Sequence, residues 1–210
     1  QLPLPALLGR DRVRRDRRLG QRAGSEAAER TGPFSVGPEP QPWIEAPSPN
    51  HGGPRPATDG VVVHSTRGGA AYGVEFDATL RWLANRNSLA SAHIVIGRDG
   101  RRAHVVDPNL VAWHGGVNPD RYPGHPADWY GELNRHKLSA ELEQPTGEDD
   151  YTDVQYELLA EWILEQQAVY GFPLTRRAIL GHDETEQGQV QVKSDPGPRF
   201  SWPRLLSLLG

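Results

Sequence analysis

The sequence predicts a mixed α/β fold, in which helices flank a central β-sheet. Two kinds of segment alternate along its 210 residues: short apolar runs typical of strands, and longer segments with apolar residues at helical spacing. A chain of this length, 36% hydrophobic, can bury a substantial core. We therefore expect one α/β domain, preceded by a segment of different composition.

The first strand and helix of this domain follow a glycine at position 60. Three consecutive valines at 61–63 are typical of a buried strand, and the strand delivers His64 at its carboxyl end. Apolar residues at helical spacing then predict a helix that runs to about residue 85: Phe76, Leu80 and Leu83.

Three further strands are predicted before the longest helix. Residues 92–97 and 101–106 flank the sequence Arg98-Asp99-Gly100, and Asp-Gly favours the tight turns that join antiparallel strands. Residues 138–143 have the alternation of a short strand.

The clearest helix begins at Thr152. Gln155 follows three residues later, which is the pattern of a capping box, and Gly171 and Pro173 end the helix. Two elements complete the domain: a strand at 178–180 followed by Gly181-His182, and a helix at 201–209 with Pro203 in its first turn.

Residues 1–47 are predicted to form an Arg- and Pro-rich extension, and residues 48–210 the folded domain. Residues 1–22 hold seven Arg and two Asp, a net charge of +5, and ten of the 19 prolines lie within residues 1–60. Such a segment buries too little apolar surface to offset its ordering entropy. Its Arg cluster could contact an anionic envelope polymer; the alternative is a solvated or loosely docked arm.

Composition excludes several classes of protein. The chain has no cysteine, so disulfides and thiolate metal sites are excluded, and a metal would be held by His and carboxylate. A net charge of −4 argues against a general nucleic-acid binder. No apolar run approaches the roughly 20 residues of a membrane-spanning helix.

Two of the eight histidines stand out because each follows an apolar strand. Sites in α/β sheets are built at such strand ends, and His64 and His182 both open a polar loop there. Asp195 lies in the Pro-rich turn that follows Lys193. Two histidines and one carboxylate would suit a catalytic zinc ion. A hydrolase would also need a general base and a cation, for which Glu141 and Lys193 are candidates.

Five motifs, in the same order along the chain, resemble the zinc-dependent N-acetylmuramoyl-L-alanine amidases of the type-2 fold, a family that includes the peptidoglycan recognition proteins. They are Val61-Val62-Val63-His64-Ser65-Thr66, Ser91-Ala92-His93-Ile94-Val95-Ile96, Ala112-Trp113-His114-Gly115-Gly116, Asn134 with Ser139-Ala140-Glu141-Leu142-Glu143, and Gly181-His182 with Lys193-Ser194-Asp195-Pro196-Gly197-Pro198. The resemblance covers about residues 48–208.

The resemblance implies a role for each matched residue. His64, His182 and Asp195 fall on the ligands of one zinc ion per chain, Glu141 on the general base, and Lys193 on the cation that stabilises the tetrahedral intermediate. It also implies hydrolysis of the amide between N-acetylmuramic acid and L-alanine in peptidoglycan. Asp as third ligand follows the branch that acts on anhydro-muropeptides.

Four further residues are candidates for substrate binding: His93, Trp113, His114 and Asn134. For Trp113 and His114, a structural role is as well supported as substrate binding. For His93, the position on a strand favours a structural role. A non-catalytic peptidoglycan-binding module is the competing class of protein, but such modules typically lose a metal ligand.

The sequence leaves the substrate and the origin of the protein open. The Arg cluster favours intact, anionic wall peptidoglycan and therefore a lytic amidase, such as a phage endolysin. An amidase restricted to soluble anhydro-muropeptides is the alternative. We expect the protein to act on the bacterial cell wall, in the periplasm, after secretion, or after release from a host cytoplasm.

Overall fold

The structure of the protein is a computed structural model that describes residues 41–69 and 73–210. The described residues belong to one compact unit. Most of the extension predicted at 1–47 therefore lies outside the described residues, and its separation from the domain stays a prediction.

The described residues form eight strands, numbered in chain order. They are β1 (Trp43–Glu45), β2 (His51–Pro54), β3 (Gly60–Ser65), β4 (Ile94–Ile96), β5 (Arg102–His104), β6 (Leu110–Ala112), β7 (Lys137–Leu142) and β8 (Ile179–Gly181). Six of them make one sheet in the order β1-β5-β4-β7-β3-β8, and β2 pairs with β6. In the large sheet only β4 and β5 are antiparallel neighbours.

Five α-helices connect or follow these strands. They are α1 (Val74–Ala84), α2 (Trp129–His136), α3 (Asp153–Tyr170), α4 (Glu186–Val190) and α5 (Trp202–Leu209). Thr152 and Gln155 cap α3 with the predicted capping box, and Gly171 ends that helix in the left-handed conformation that glycine tolerates.

The two faces of the large sheet carry different cores. Alternate residues of β3, β4 and β7, such as Val61, Ile94 and Leu138, pack against α3 and α5. Val95 of the opposite face belongs to the core that includes Phe76 of α1. Because side chains alternate along a strand, the intervening residues of β3, β4 and β7 face the side of the sheet where α1 lies.

The predicted mixed α/β fold is confirmed, as are the predicted strands and helices of the domain. The structure adds β1, which lies within the segment assigned to the extension: Trp43–Glu45 pairs with β5 in parallel register. The folded domain therefore begins at or before residue 43, earlier than the predicted boundary. Among the described residues, no helix combines the length and apolar character needed to cross a membrane.

Candidate functional site

Three parallel strands bring the predicted site residues to one edge of the sheet. In the register of β3 and β7, His64 lies opposite Glu141, and in the register of β3 and β8, Val63 lies opposite Gly181. Because neighbouring residues of paired strands share a face, His64 and Glu141 project to the same side, and His182 follows at the end of β8. The predicted strand-end arrangement is confirmed.

Asp195 completes a group of three side chains that could hold a metal ion. Its Oδ2 atom lies 3.1 Å from Nδ1 of His64 and 3.2 Å from Nδ1 of His182. The three ligand atoms all lie within 4.8 Å of one another, and both histidines are buried. The structure thus brings together the three residues predicted to bind metal.

The turn that carries Asp195 is held from several directions. The Arg67 guanidinium donates to Oγ and to the backbone carbonyl of Ser194, at 2.5 and 2.6 Å. The backbone carbonyl of Asp195 accepts from the N–H of Asp183, and the Tyr151 hydroxyl donates to the carbonyl of Pro196. These bonds fix the carboxylate beside the two imidazoles.

His114 determines which nitrogen of His64 carries a proton. Nε2 of His114 lies 3.1 Å from the carbonyl of Lys137, which only accepts, so this nitrogen is the donor. Burial, followed by the neighbouring histidines, holds the pKa of His114 well below its usual value, so its Nδ1 is an acceptor. Nε2 of His64, 3.1 Å away, must donate to it. A lone pair is therefore left on Nδ1 of His64.

This lone pair shows that the group fits a cation. Burial, followed by repulsion from His182, lowers the pKa of His64 to about 4, so the ring is neutral at neutral pH. Burial raises the pKa of Asp195, but its contacts with His182 and His64 together outweigh burial and lower that pKa. A lone pair thus faces an ionised oxygen at 3.1 Å, and a cation between the two atoms relieves their repulsion.

Glu141 provides a carboxyl group beside the metal-ligand group. Burial, followed by the negative charge of Asp195, raises the pKa of Glu141 to about 8. Its Oε2 atom is buried and has no hydrogen-bond partner among the described residues. A carboxyl group that titrates near neutral pH can accept and return a proton.

Two cavities meet at Trp113 and His114. The first, of about 430 Å³, is called here the acidic cavity and is lined by Thr66, Glu75, Thr79, Trp82 and Glu141, among others. The second, of about 380 Å³, is called the basic cavity and is lined by Leu89, Gly116, Asn118, His182 and Lys193, among others. A larger cavity of about 500 Å³ contains none of the predicted metal ligands or catalytic residues.

Three of the four residues predicted to bind substrate line the two cavities, and the fourth does not. Trp113 and His114 line both cavities, and Asn134 lines the basic cavity. Asn134 also has a structural role, because its Oδ1 atom accepts from the backbone N–H groups of His114 and Gly115.

His93 does not lie where it could contact a substrate, which corrects its candidacy for substrate binding and agrees with the structural role that the sequence favours. It is 0% exposed, its Nδ1 atom accepts from the backbone N–H of Ser139, and its Nε2 atom lies 3.2 Å from the carbonyl of Leu110. The Arg55 guanidinium also lies against its ring. His93 is therefore a buried structural residue beneath the site.

Two contributions to the site were missed in the sequence. Glu75 lines the acidic cavity, but in the sequence it is one acid in the first turn of a helix, where acids are common. The bond between His114 and His64 joins residues 50 positions apart, and no local pattern signals it.

Comparison with known proteins agrees with this geometry. Residues 54–198 match the family model described as Amidase_2, N-acetylmuramoyl-L-alanine amidase. The 1,6-anhydro-N-acetylmuramyl-L-alanine amidase AmpD of Salmonella typhimurium is 34% identical over 121 residues, which are 57% of this chain and 57% of that protein. The chain thus matches little more than half the length of this curated relative.

Solved structures share the fold. The crystal structure of a selenomethionine derivative of AmpD is similar with a TM-score of 0.59 and 28% identity, over 80% of this chain and 94% of that one. The amidase AmiD from E. coli was solved with anhydro-N-acetylmuramic acid-L-Ala-D-γ-Glu-L-Lys. It gives a TM-score of 0.53 at 22% identity, over 75% of this chain and 58% of that one.

Proposed function

Because this chain belongs to the N-acetylmuramoyl-L-alanine amidase family, we propose that it hydrolyses the amide bond between N-acetylmuramic acid and L-alanine in peptidoglycan fragments. The observation that carries the proposal is the convergence of His64, His182 and Asp195 beside the carboxyl group of Glu141. The relatives' names support the reaction and the chemical class of the substrate.

We propose that the three converging side chains hold one zinc ion. Two imidazoles and a carboxylate are a common ligand set of catalytic zinc and leave a coordination position open. Zinc supplies Lewis acidity and lowers the pKa of a water molecule to near neutrality. The lone pair that His114 leaves on Nδ1 of His64 favours a cation there.

Glu141 is the proposed general base. It takes a proton from the attacking water as the new C–O bond forms, and returns it to the amide nitrogen as the C–N bond breaks. The pKa of about 8 is well suited to accepting and returning a proton, and a cation held by His64, His182 and Asp195 would lower it further into the working range.

Lys193 is the proposed cation that stabilises the tetrahedral intermediate. Its side chain is exposed and lines the basic cavity together with His182, so it is accessible to a bound substrate. An ammonium group there can stabilise the negative charge that develops on the carbonyl oxygen.

We propose two alternative substrate ranges. The relatives named for 1,6-anhydro-N-acetylmuramyl-L-alanine favour soluble anhydro-muropeptides, whereas the net charge of +5 of residues 1–22 favours an anionic wall and a lytic role at the cell wall. The complete ligand group argues against a binding module without catalysis.

The experiment is to incubate the zinc-loaded full chain with purified sacculi and, separately, with soluble anhydro-muropeptides, and to quantify released peptide. Cleavage of either substrate supports the amidase. Release from soluble fragments alone would remove the lytic role, and binding of both without release would favour the non-catalytic module.

A further inference from the structure

Arg55 is a half-buried cation whose guanidinium donates to four backbone carbonyls. Its Nε atom donates to Pro108 at 3.1 Å, and its Nη2 atom donates to Leu110 at 2.7 Å. Its Nη1 atom donates to Lys137 at 2.7 Å and to Asn134 at 3.2 Å. Burial lowers the pKa of Arg55 to about 10, so the group is still charged at neutral pH. Burying a charge is costly, so this position calls for a specific explanation.

The carbonyl of Lys137 lies where the neighbouring strand β4 does not reach. Two residues later, the carbonyl of Ser139 accepts from the backbone N–H of His93, just before β4 begins. Carbonyls of alternate residues point to the same neighbouring strand, so that of Lys137 points past the start of β4. Arg55 and His114 occupy this place, at 2.7 and 3.1 Å from the oxygen. The two donors use both lone pairs of the carbonyl.

Arg55 also binds the segments that hold the backbone of His114. The side-chain Oδ1 atom of Asn134 accepts from the N–H of His114, and the backbone carbonyl of Asn134 accepts from Arg55. Leu110, whose carbonyl also accepts from Arg55, begins the strand β6 that leads to His114. One planar guanidinium thus joins three segments around the His114 ring, which a single ammonium group could not do.

We propose that Arg55 is a positioning residue for the proposed zinc ligand His64. It acts through the carbonyl of Lys137 and the ring of His114, and it keeps the lone pair of His64 on Nδ1. The proposal rests on the proposed function, because zinc is the ion that this lone pair would bind. Without Arg55, the carbonyl can turn towards water and the His114 ring loses its fixed orientation. His64 can then carry its proton on Nδ1 and donate it to Asp195, and this form does not bind a metal ion through Nδ1.

The first measurement is the position of the proton on each imidazole of the metal-free protein. Nitrogen NMR distinguishes a protonated ring nitrogen from one with a lone pair. In the wild-type chain, His64 and His114 should both carry the proton on Nε2. In Arg55→Gln, we expect His64 to be divided between the two forms. A role of Arg55 in stability alone would leave the proton on Nε2.

The second measurement is zinc affinity, from competition with a chromophoric chelator. Arg55→Gln should lower it roughly tenfold, the lower end of the range for partners of metal-ligating histidines, because Arg55 acts one residue further away. Arg101→Gln is the matched control. The Arg101 guanidinium also binds a backbone carbonyl, that of Gly73, and pairs with Asp77, but these partners lie at the start of α1. The control should lower the unfolding temperature and change neither the proton position nor zinc affinity.

Unchanged zinc affinity in Arg55→Gln would overturn the proposal, as would a His64 ring that keeps its proton on Nε2 there. Equal losses of zinc affinity in Arg101→Gln would also overturn it. If Arg55→Gln does not fold, Arg55→Lys replaces it, with the same changes expected, because an ammonium group keeps the charge but cannot span four carbonyls. If the wild-type chain binds no zinc, the proposed function fails, and the spectra of the metal-free proteins decide this inference separately.

Discussion

Nε2 of His64 donates a hydrogen bond to Nδ1 of His114 across 3.1 Å, and the carbonyl of Lys137 fixes the direction of that bond from the far side of the His114 ring. A backbone carbonyl in β7 thereby determines which nitrogen of His64 faces Asp195. The metal-binding form of His64 is thus set before any ion binds.

Replacing His114 tests this relationship. His114→Phe removes the acceptor for His64, so we expect zinc affinity to fall roughly 10- to 100-fold, as for other partners of metal-ligating histidines. Competition with a chromophoric chelator measures it. Trp113→Phe is the control, because Trp113 lines the same cavities without bonding to a ligand. Unchanged affinity in His114→Phe would refute the relationship.

Replacing Glu141 tests the general base. Glu141→Gln should lower kcat by roughly two to four orders of magnitude while zinc stays bound. Glu143→Gln is the comparison, because both oxygens of Glu143 accept backbone N–H groups, from Gly73 and Arg98, and serve the structure. We expect Glu143→Gln to lower the unfolding temperature and to have only a small effect on kcat. Equal losses of kcat in the two variants would show that the base is misassigned.

Acid should destabilise the fold in part through His93. Burial, followed by the positive charge of Arg55, lowers the pKa of His93 from 6.5 to about 3. Between these values the unfolded chain binds a proton that the folded chain does not. The contribution of neutral His93 to the free energy of unfolding is therefore complete above pH 6.5. It is lost as the pH falls, by at most about 1.4 kcal/mol per pH unit.

The measurement is urea unfolding of metal-free protein at several pH values between 4 and 7.5. The glutamine of His93→Gln cannot titrate, so the free energy of unfolding of this variant should depend less steeply on pH than that of the wild-type chain. The difference in slope corresponds to at most one bound proton. Parallel curves for the two proteins would contradict the assignment.

Removing residues 1–40 tests the Arg cluster without touching β1, which begins at Trp43. If the cluster contacts an anionic wall polymer, truncation should weaken binding to sacculi at low salt, and the difference should shrink as salt rises. Hydrolysis of soluble muropeptides should hardly change. Identical salt titrations for the two proteins would show that the Arg cluster does not contribute to wall binding.

Sequence patterns predicted the elements whose signals are local. The valines at 61–63 gave the strand before His64, and the capping box of Thr152 and Gln155 gave the start of α3. The metal-ligand group was predictable as well, because strand ends and a Pro-rich turn position its three residues.

Features that depend on distant pairing were not predictable in this way. Strand β1 has only three residues in a Pro-rich stretch, and it forms because β5, about 60 residues later, supplies its partner. His93 was a candidate for substrate binding through its motif in the family resemblance, although a structural role was favoured. Its burial depends on Ser139 and Leu110, which no local pattern connects with it.

Product analysis tests the central claim most directly. Mass spectrometry after incubation of the zinc-loaded chain with anhydro-N-acetylmuramic acid-L-Ala-D-γ-Glu-L-Lys should show free L-Ala-D-γ-Glu-L-Lys and the intact sugar acid. Asp195→Ala should give no product and hold less than stoichiometric zinc. Cleavage at another bond, no product from the zinc-loaded wild-type chain, or full zinc and activity in Asp195→Ala would contradict the account.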